Sequence, residues 1–412
     1  MQKKDYYNQS LIKLVAILIV IFSATTLFQT VFDKFSINRV VGGALLLVLF
    51  ALLTIKISRK TFFELSILIV IGVFSVIASN NTTREITSWI YYLSTIFCLT
   101  LLLDDERIKL LRQVFLKGAR VIKFVVYLEC LFLVAFLFFG VGYQLRWQGS
   151  YFQGMCNNPH TLAALCCLIL SLLVFYSIEN RKFLVVNSIF AIIPIYALLQ
   201  TGARTFLIPL MAIIDLYLNK VVKKRMYKVI IVLIAIPLVV WLFANNLMFE
   251  KFTTMAQHGI VAHSSLDNIT SGRTIFWKED INSYLEGNII QIIFGKTFNN
   301  VYEVNLLTVG TDIWAHNDFI FILNGAGLFG LFIYLAELFR LSKKVIRTNK
   351  KKRDMLFLII YVFIPAFING FLNYPHFVYS FIILYLLLKK DEVDETIIEP
   401  TERQIKWTVQ KM

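Results

Sequence analysis

The chain has 412 residues, of which 58% are hydrophobic and only 16% charged, and its mean hydropathy is +0.70. A water-soluble domain of this size cannot hide so much apolar surface, whereas a bilayer accepts it. The net charge of +15 is spread over loops that alternate with apolar runs. That pattern excludes a nucleic-acid-binding face and matches positive-inside membrane insertion.

Taken in chain order, the apolar runs predict an all-α polytopic membrane protein with about 12 transmembrane helices. They fall near 11–30, 38–55, 62–78, 86–103, 121–140, 160–177, 183–200, 203–219, 228–246, 316–338, 355–370 and 372–388. Each approaches the ~20 residues that a hydrocarbon core requires. The first run lacks a small-residue cleavage site and reads as a helix that stays in place. Cys98, Cys130, Cys166 and Cys167 fall in apolar runs and Cys156 in a loop. They show neither metal-ligand spacing nor a disulfide framework, and read as core residues.

Lys and Arg cluster at 56–60, 107–123, 223–225 and 343–353, in every second loop. By the positive-inside rule both termini are cytoplasmic, and one long loop at about 247–315 is extracytoplasmic. Residues 1–390 read as one transmembrane domain, and 391–412 as a polar cytoplasmic tail. The chain contains no internal repeat, Walker A sequence or dinucleotide fingerprint, so an ATP-driven pump is not expected.

Polar residues worth explaining gather on the face where basic residues are scarce. The first group is Arg146 to Phe152, followed by Asn157-Asn158-Pro159-His160 at the start of the sixth predicted helix. The second is Thr201-Gly202-Ala203-Arg204-Thr205, and the third Ser271-Gly272-Arg273 with Trp277 inside the long loop. The fourth is Trp314-Ala315-His316-Asn317-Asp318 at the start of the tenth helix, followed by Gly325, Gly327 and Gly330. Taken singly, each has a plainer reading. An arginine at a helix end snorkels to headgroups, a loop arginine is solvated, and a histidine beside a tryptophan belongs to an interfacial belt. His160 taken alone reads as a polar group at a helix start, and the three glycines as sites of close helix packing. Glu129, near mid-depth in the fifth helix, is the feature that best fits a proton-coupled transporter.

The order of these four groups, in a chain with one long outer loop late among its helices, resembles the O-antigen ligase and Wzy-type polysaccharide polymerase superfamily of bacterial membrane glycosyltransferases. The resemblance covers most of the chain in topology and residues 146–330 in motifs. The chain departs from it at Asn158-Pro159-His160, where members often carry Asn-Pro-Asn. The resemblance implies chemistry on undecaprenyl-diphosphate-linked oligosaccharides at the outer leaflet. There a growing glycan is transferred from its lipid diphosphate to the next lipid-linked repeat unit, as in capsule or O-antigen synthesis. It also implies the lipid bilayer, a flippase and a chain-length regulator as partners.

The residue chemistry fits that implication. A diphosphate leaves readily only when its developing charge is neutralised, and guanidinium groups do this as two-pronged donors that are always charged. Arg204 and Arg273 are the candidates, with Arg146 as a further one. His316 has a side chain suited to accept the proton of an incoming sugar hydroxyl, and Asp318 would orient or replace it. Asn158 and Asn317 complete the expected substrate-binding set. No Asp-x-Asp occurs, and Asp104-Asp105 falls on the cytoplasmic side, so metal-independent transfer without a cofactor is expected. Two rivals stand beside a polymerase: a ligase that moves finished glycan to another acceptor by the same donor chemistry, and a transporter or flippase for the lipid-linked glycan.

Overall fold

A computed structural model describes residues 2–55, 58–146, 149–222, 272–348 and 352–388, together with the isolated positions 224, 226, 230 and 233. Most of the predicted ninth helix (228–246), the first part of the long loop (247–271), Trp147-Gln148 and the tail 391–412 lie outside the described residues. Of Arg146 only the backbone position is described.

The described chain is almost entirely helical. Its elements are α1 (Gln2–Leu27), α2 (Gln29–Phe32), α3 (Ile37–Ile55), α4 (Arg59–Ala78), α5 (Thr82–Leu101), α6 (Asp105–Lys117) and α7 (Ala119–Phe138). A two-stranded antiparallel ribbon follows, β1 (Tyr143–Arg146) and β2 (Gly149–Phe152), with Tyr143 opposite Phe152. Then come α8 (Pro159–Glu179), α9 (Leu184–Gln200), α10 (Leu207–Val221), α11 (Arg273–Leu285), α12 (Ile289–Phe294), α13 (Phe298–Val309) and α14 (Asp318–Thr348). A last group comprises α15 (Lys352–Leu358), a π-helical turn (Ile359–Phe363), α16 (Ile364–Ile368) and α17 (Pro375–Leu388).

Seven of these helices are long and apolar enough to cross a membrane, or eight if α5 and α6 count as one bent span. The seven correspond to the predicted runs 11–30, 38–55, 62–78, 121–140, 160–177, 183–200 and 316–338. The last is longer than expected, because α14 runs on to Thr348. The run 86–103 ends at Leu101, where the chain bends by 103° into α6. The side chain of Asp104 accepts from the amides of Glu106 and Arg107, which starts the new helix and fixes the corner. The run 203–219 is the 15-residue α10, and the last two runs become shorter helices separated by a break at 369–374.

The core lies around α8 and α17, whose side chains are buried on all sides. Ser171 of α8 and Ser380 of α17 hydrogen-bond at 2.6 Å, and Tyr361 joins them through Ser380. Lipid tails are as apolar as leucine, so such small polar contacts and close packing, rather than hydrophobic exclusion, hold helix to helix. The lipid-facing side chains are large and apolar: Phe63, Phe74 and Ile77 on α4, and Phe332 and Phe339 on α14, are each more than half exposed.

Two cations near the C-terminal ends of α5 and α14 are held by carboxylates. Arg112 grips Glu179 at 2.9 Å, and Lys344 of α14 reaches Asp105 at 2.7 Å. The site residues expected from the sequence gather at the other end, where α5 and α14 begin.

Candidate functional site

Helices α11, α12 and α13 form a layer over the starts of α5 and α14, and their attachment places the site. Glu85, fully buried in the first turn of α5, accepts from the backbone amides of Phe298 and Asn299 at 3.0 and 2.8 Å. It also accepts from the Ser75 hydroxyl at 2.6 Å and the Trp89 indole at 2.9 Å. A helix N-terminus offers free amides, so a carboxylate placed there satisfies orphan donors and the helix dipole together. Next to it Arg84 holds Asp312 in a two-pronged pair at 2.9 and 2.8 Å and lies 4.2 Å from the centre of the Tyr302 ring.

A second fastening joins α12 to α14. Gly327 sits at φ 67°, ψ −169° and interrupts α14, leaving the Asn324 carbonyl to accept from the Lys296 amide at 2.8 Å. A Cβ on Gly327 would stand 2.4 Å from the Gly295 nitrogen, so the crossing requires glycine there. The expected packing role of Gly327 is what the contact shows.

A third fastening is a buried polar set. Asp280 of α11, Asn305 of α13 and Asn324 of α14 are all fully buried. The Asn324 amide donates to the Asp280 carbonyl at 3.2 Å, and the Asn305 amide to the Ile313 carbonyl at 3.1 Å. Burial pushes the Asp280 carboxyl up to about 8.

These attachments shape the segment 311–317, which has no regular structure. The Trp277 indole of α11 donates to the Ala315 carbonyl at 2.8 Å. Trp314 is buried against Phe321 and Tyr374, and Gly370 comes so close that a Cβ there would stand 1.9 Å from the Trp314 ring. His316 follows in the left-handed region at φ 51°, a conformation that histidine tolerates better than most residues but still at a cost of roughly 1–2 kcal/mol.

The ring of His316 lies 4.8 Å from that of Trp314 and 6.3 Å from that of His160. His160 is held at the start of α8, where Asn158 caps the helix by accepting from the Thr161 amide at 2.8 Å and Pro159 occupies the first turn. Tyr374 stacks on His160 with centroids 6.0 Å apart, and Phe206 closes the aromatic wall 5.6 Å from Tyr374.

The two arginines come to the same place. Arg273 opens α11 after Gly272, and its guanidinium donates to the Ile368 carbonyl and, at 3.5 Å, to the Asn369 side chain. Arg204 opens the single 3-10 turn before α10, half-buried. Burial pushes the Arg273 guanidinium down to about 10, the Tyr374 hydroxyl opposes that shift, and the charge of Arg204 adds to it. Arg204 is lowered by burial too, with Tyr151 opposing. Two cations that sense each other in a half-buried setting make a region of positive potential. The starts of α8, α10, α11, α14 and α17 all contribute residues here, and helix starts add their own partial positive charge.

The structure thus brings Arg204, Arg273 and His316 to one aromatic-walled region. Three of the other expected residues bond to the backbone. Asp318 is fully buried and accepts from the amides of Phe371 and Leu372 at 2.7 and 3.2 Å, which shapes the 369–374 break. Asn317 caps α14 by accepting from the Phe319 and Ile320 amides at 3.0 and 3.2 Å. Asn158 caps α8 as described, and Arg146 lies in β1. Glu129 is buried in α7 beside Ser23 of α1, within the helix packing.

Sequence reasoning left out Asn369 and Tyr374 and set His160 aside. The turn-forming Asn369-Gly370 and Asn373-Tyr374-Pro375, inside what reads as two adjoining apolar spans, were the available signal. The chain matches no known protein-family profile and no curated protein.

Proposed function

We propose that this chain is a multi-pass membrane glycosyltransferase that joins undecaprenyl-diphosphate-linked oligosaccharide repeat units into a surface polysaccharide. Twelve spans, cytoplasmic termini and a site at the outer leaflet of the cell membrane belong to the same proposal. The observation that carries it is that Arg273, bonded to Ile368 and Asn369, and Arg204, two residues from Phe206, flank the aromatic cluster in which Tyr374 stacks on His160, itself 6.3 Å from His316. Guanidinium groups gathered beside one site are unfavourable in isolation, and a doubly charged diphosphate offsets that repulsion.

In this reading Arg204 and Arg273 hold the donor diphosphate. The acceptor hydroxyl gives its proton to the His316 imidazole as its oxygen bonds to the donor's anomeric carbon. The bond from that carbon to the diphosphate oxygen breaks, its electron pair leaves with the lipid diphosphate, and the two guanidiniums neutralise the charge that develops there. Donors placed where charge develops typically contribute ~10²–10³ in rate each. The wall of Trp314, Tyr374 and Phe206 restricts water around the transfer, which strengthens the electrostatics.

Alanine at Arg204, Arg273 or His316 is expected to abolish polymer in cells while protein levels persist. Polymer of normal length in all three variants would refute the assignment. A strain lacking the protein separates polymerase from ligase: single lipid-linked repeats accumulate in the first case, and long lipid-linked chains that never reach their acceptor in the second.

A further inference from the structure

The corner where α11 meets α12 carries an apolar surface that the proposed chemistry does not use. Leu285, Ile289 and Ile290 are 64%, 69% and 67% exposed, with Ile281, Ile293 and Phe294 around them at 38–39%. In water such a cluster is a liability. We infer that this corner is seated in the acyl-chain region of the bilayer, as an interfacial anchor for the layer that carries Arg273.

Two independent observations choose lipid as the occupant. The patch continues a lipid-facing strip. Phe294 lies 6.2 Å from Phe329 of α14, and from there Leu328, Phe332, Leu335 and Phe339 run along the spanning helix, each 41–67% exposed. Beyond this, the corner is amphipathic: Asn282, Glu286 and Asn288 stay exposed beside the apolar patch, as at the boundary between acyl chains and headgroups, while other polar groups bond to nearby backbone. Asn288 and Gln291 spend their side chains on each other's backbone in a reciprocal cap at the start of α12. The Tyr284 hydroxyl donates to the Ile292 carbonyl at 2.8 Å, and the Gly295 amide to the Gln291 carbonyl at 2.8 Å. The Lys296 amine is drawn back to the Ser283 carbonyl at 2.6 Å, away from the isoleucines.

One end of α11 therefore rests in lipid while the other presents Arg273. The helix is 13 residues long, about 20 Å at 1.5 Å per residue. If the proposed chemistry holds, which is a separate matter, the anchor fixes the guanidinium relative to the level of lipid phosphates.

The test uses the full chain in lipid nanodiscs, with Ile290→Cys labelled by an environment-sensitive fluorophore and Lys278→Cys as the exposed control on the same layer. The native cysteines are all buried, so label reports the introduced thiol. Lipids bearing a nitroxide near the top of the acyl chain are expected to quench the label at position 290 at least threefold more than at 278. Aqueous iodide should show the reverse order. Equal iodide quenching at both positions, with no effect of lipid nitroxide at 290, would overturn the anchor. So would protection of 290 from both quenchers together with a cross-linked dimer, which would make a second copy the occupant. Neither readout depends on enzymatic activity.

Discussion

Two charged regions sit at the same end of the helix bundle and are built in opposite ways. At the clasp on α5, every charge has its answer: Glu85 takes two helix-start amides, an indole and a hydroxyl, and Arg84 takes Asp312 and the face of Tyr302. At the site, cationic groups collect. Arg273 spends its donors on the Ile368 carbonyl and the Asn369 side chain, Arg204 adds like charge, and Asp318 is turned to the amides of Phe371 and Leu372. Satisfied charge of the first kind makes structure. Gathered like charge of the second kind lowers the cost of receiving an anion and does little for the fold.

The contrast implies that the two regions fail differently. The largest effect is expected at the clasp. Glu85→Ala leaves four buried donors without their acceptor, at about 1–3 kcal/mol for each one not rescued by water. The protein should lose much of its thermal stability in detergent, or fail to accumulate. A variant as stable as the parent would dissolve the distinction.

Arg273→Ala comes next, with the opposite profile. Polymer formation is expected to fall by ~10²–10³ or more while the melting temperature changes little, because the side chain is held by one carbonyl and one amide. Arg273→Lys should recover only part of the activity, since an ammonium is a point donor without the fork.

A pH dependence sharpens the comparison further. Burial raises the Asp280 carboxyl to about 8, above its unfolded value. The folded state then binds more protons, so this contribution to stability is full below about pH 4 and lost as pH rises through about 8. The slope for one such group is at most about 1.4 kcal/mol per pH unit. Unfolding measured between pH 5 and 9 is expected to show the decline, and Asp280→Asn should flatten it. The smallest effect belongs to Arg84→Ala. Its pair with Asp312 is exposed to solvent, so double-mutant cycles should return no more than about 1 kcal/mol.

Much of this architecture was legible in the sequence wherever a window of one helix suffices. The early apolar runs end within a few residues of α1, α3, α4 and α7, because hydropathy alone dictates where a chain enters a bilayer. The gathering of Arg204, Arg273 and His316 was anticipated only through the order of motifs. The clasp was not visible, since Glu85 accepts from the Phe298 and Asn299 amides more than two hundred residues away and looks like an ordinary helix-start carboxylate. The break at 369–374 was hidden by apolar flanks on both sides, although Asn369-Gly370 and Asn373-Tyr374-Pro375 are turn signals. His160 was read from its own helix, and its meeting with His316 is a tertiary fact. Asn158, Asn317 and Asp318 stand out in the sequence as polar side chains at a membrane face, and the structure adds that they bond helix-cap and backbone amides.

The most direct test of the proposed site is reconstitution of the purified protein in nanodiscs with lipid-diphosphate-linked repeat units and EDTA, followed by separation of the glycans by length. A ladder that survives chelation and disappears in Arg204→Ala, Arg273→Ala and His316→Ala is the expected result. A ladder undiminished in all three variants, or none from folded parent protein with verified native substrate, would contradict it.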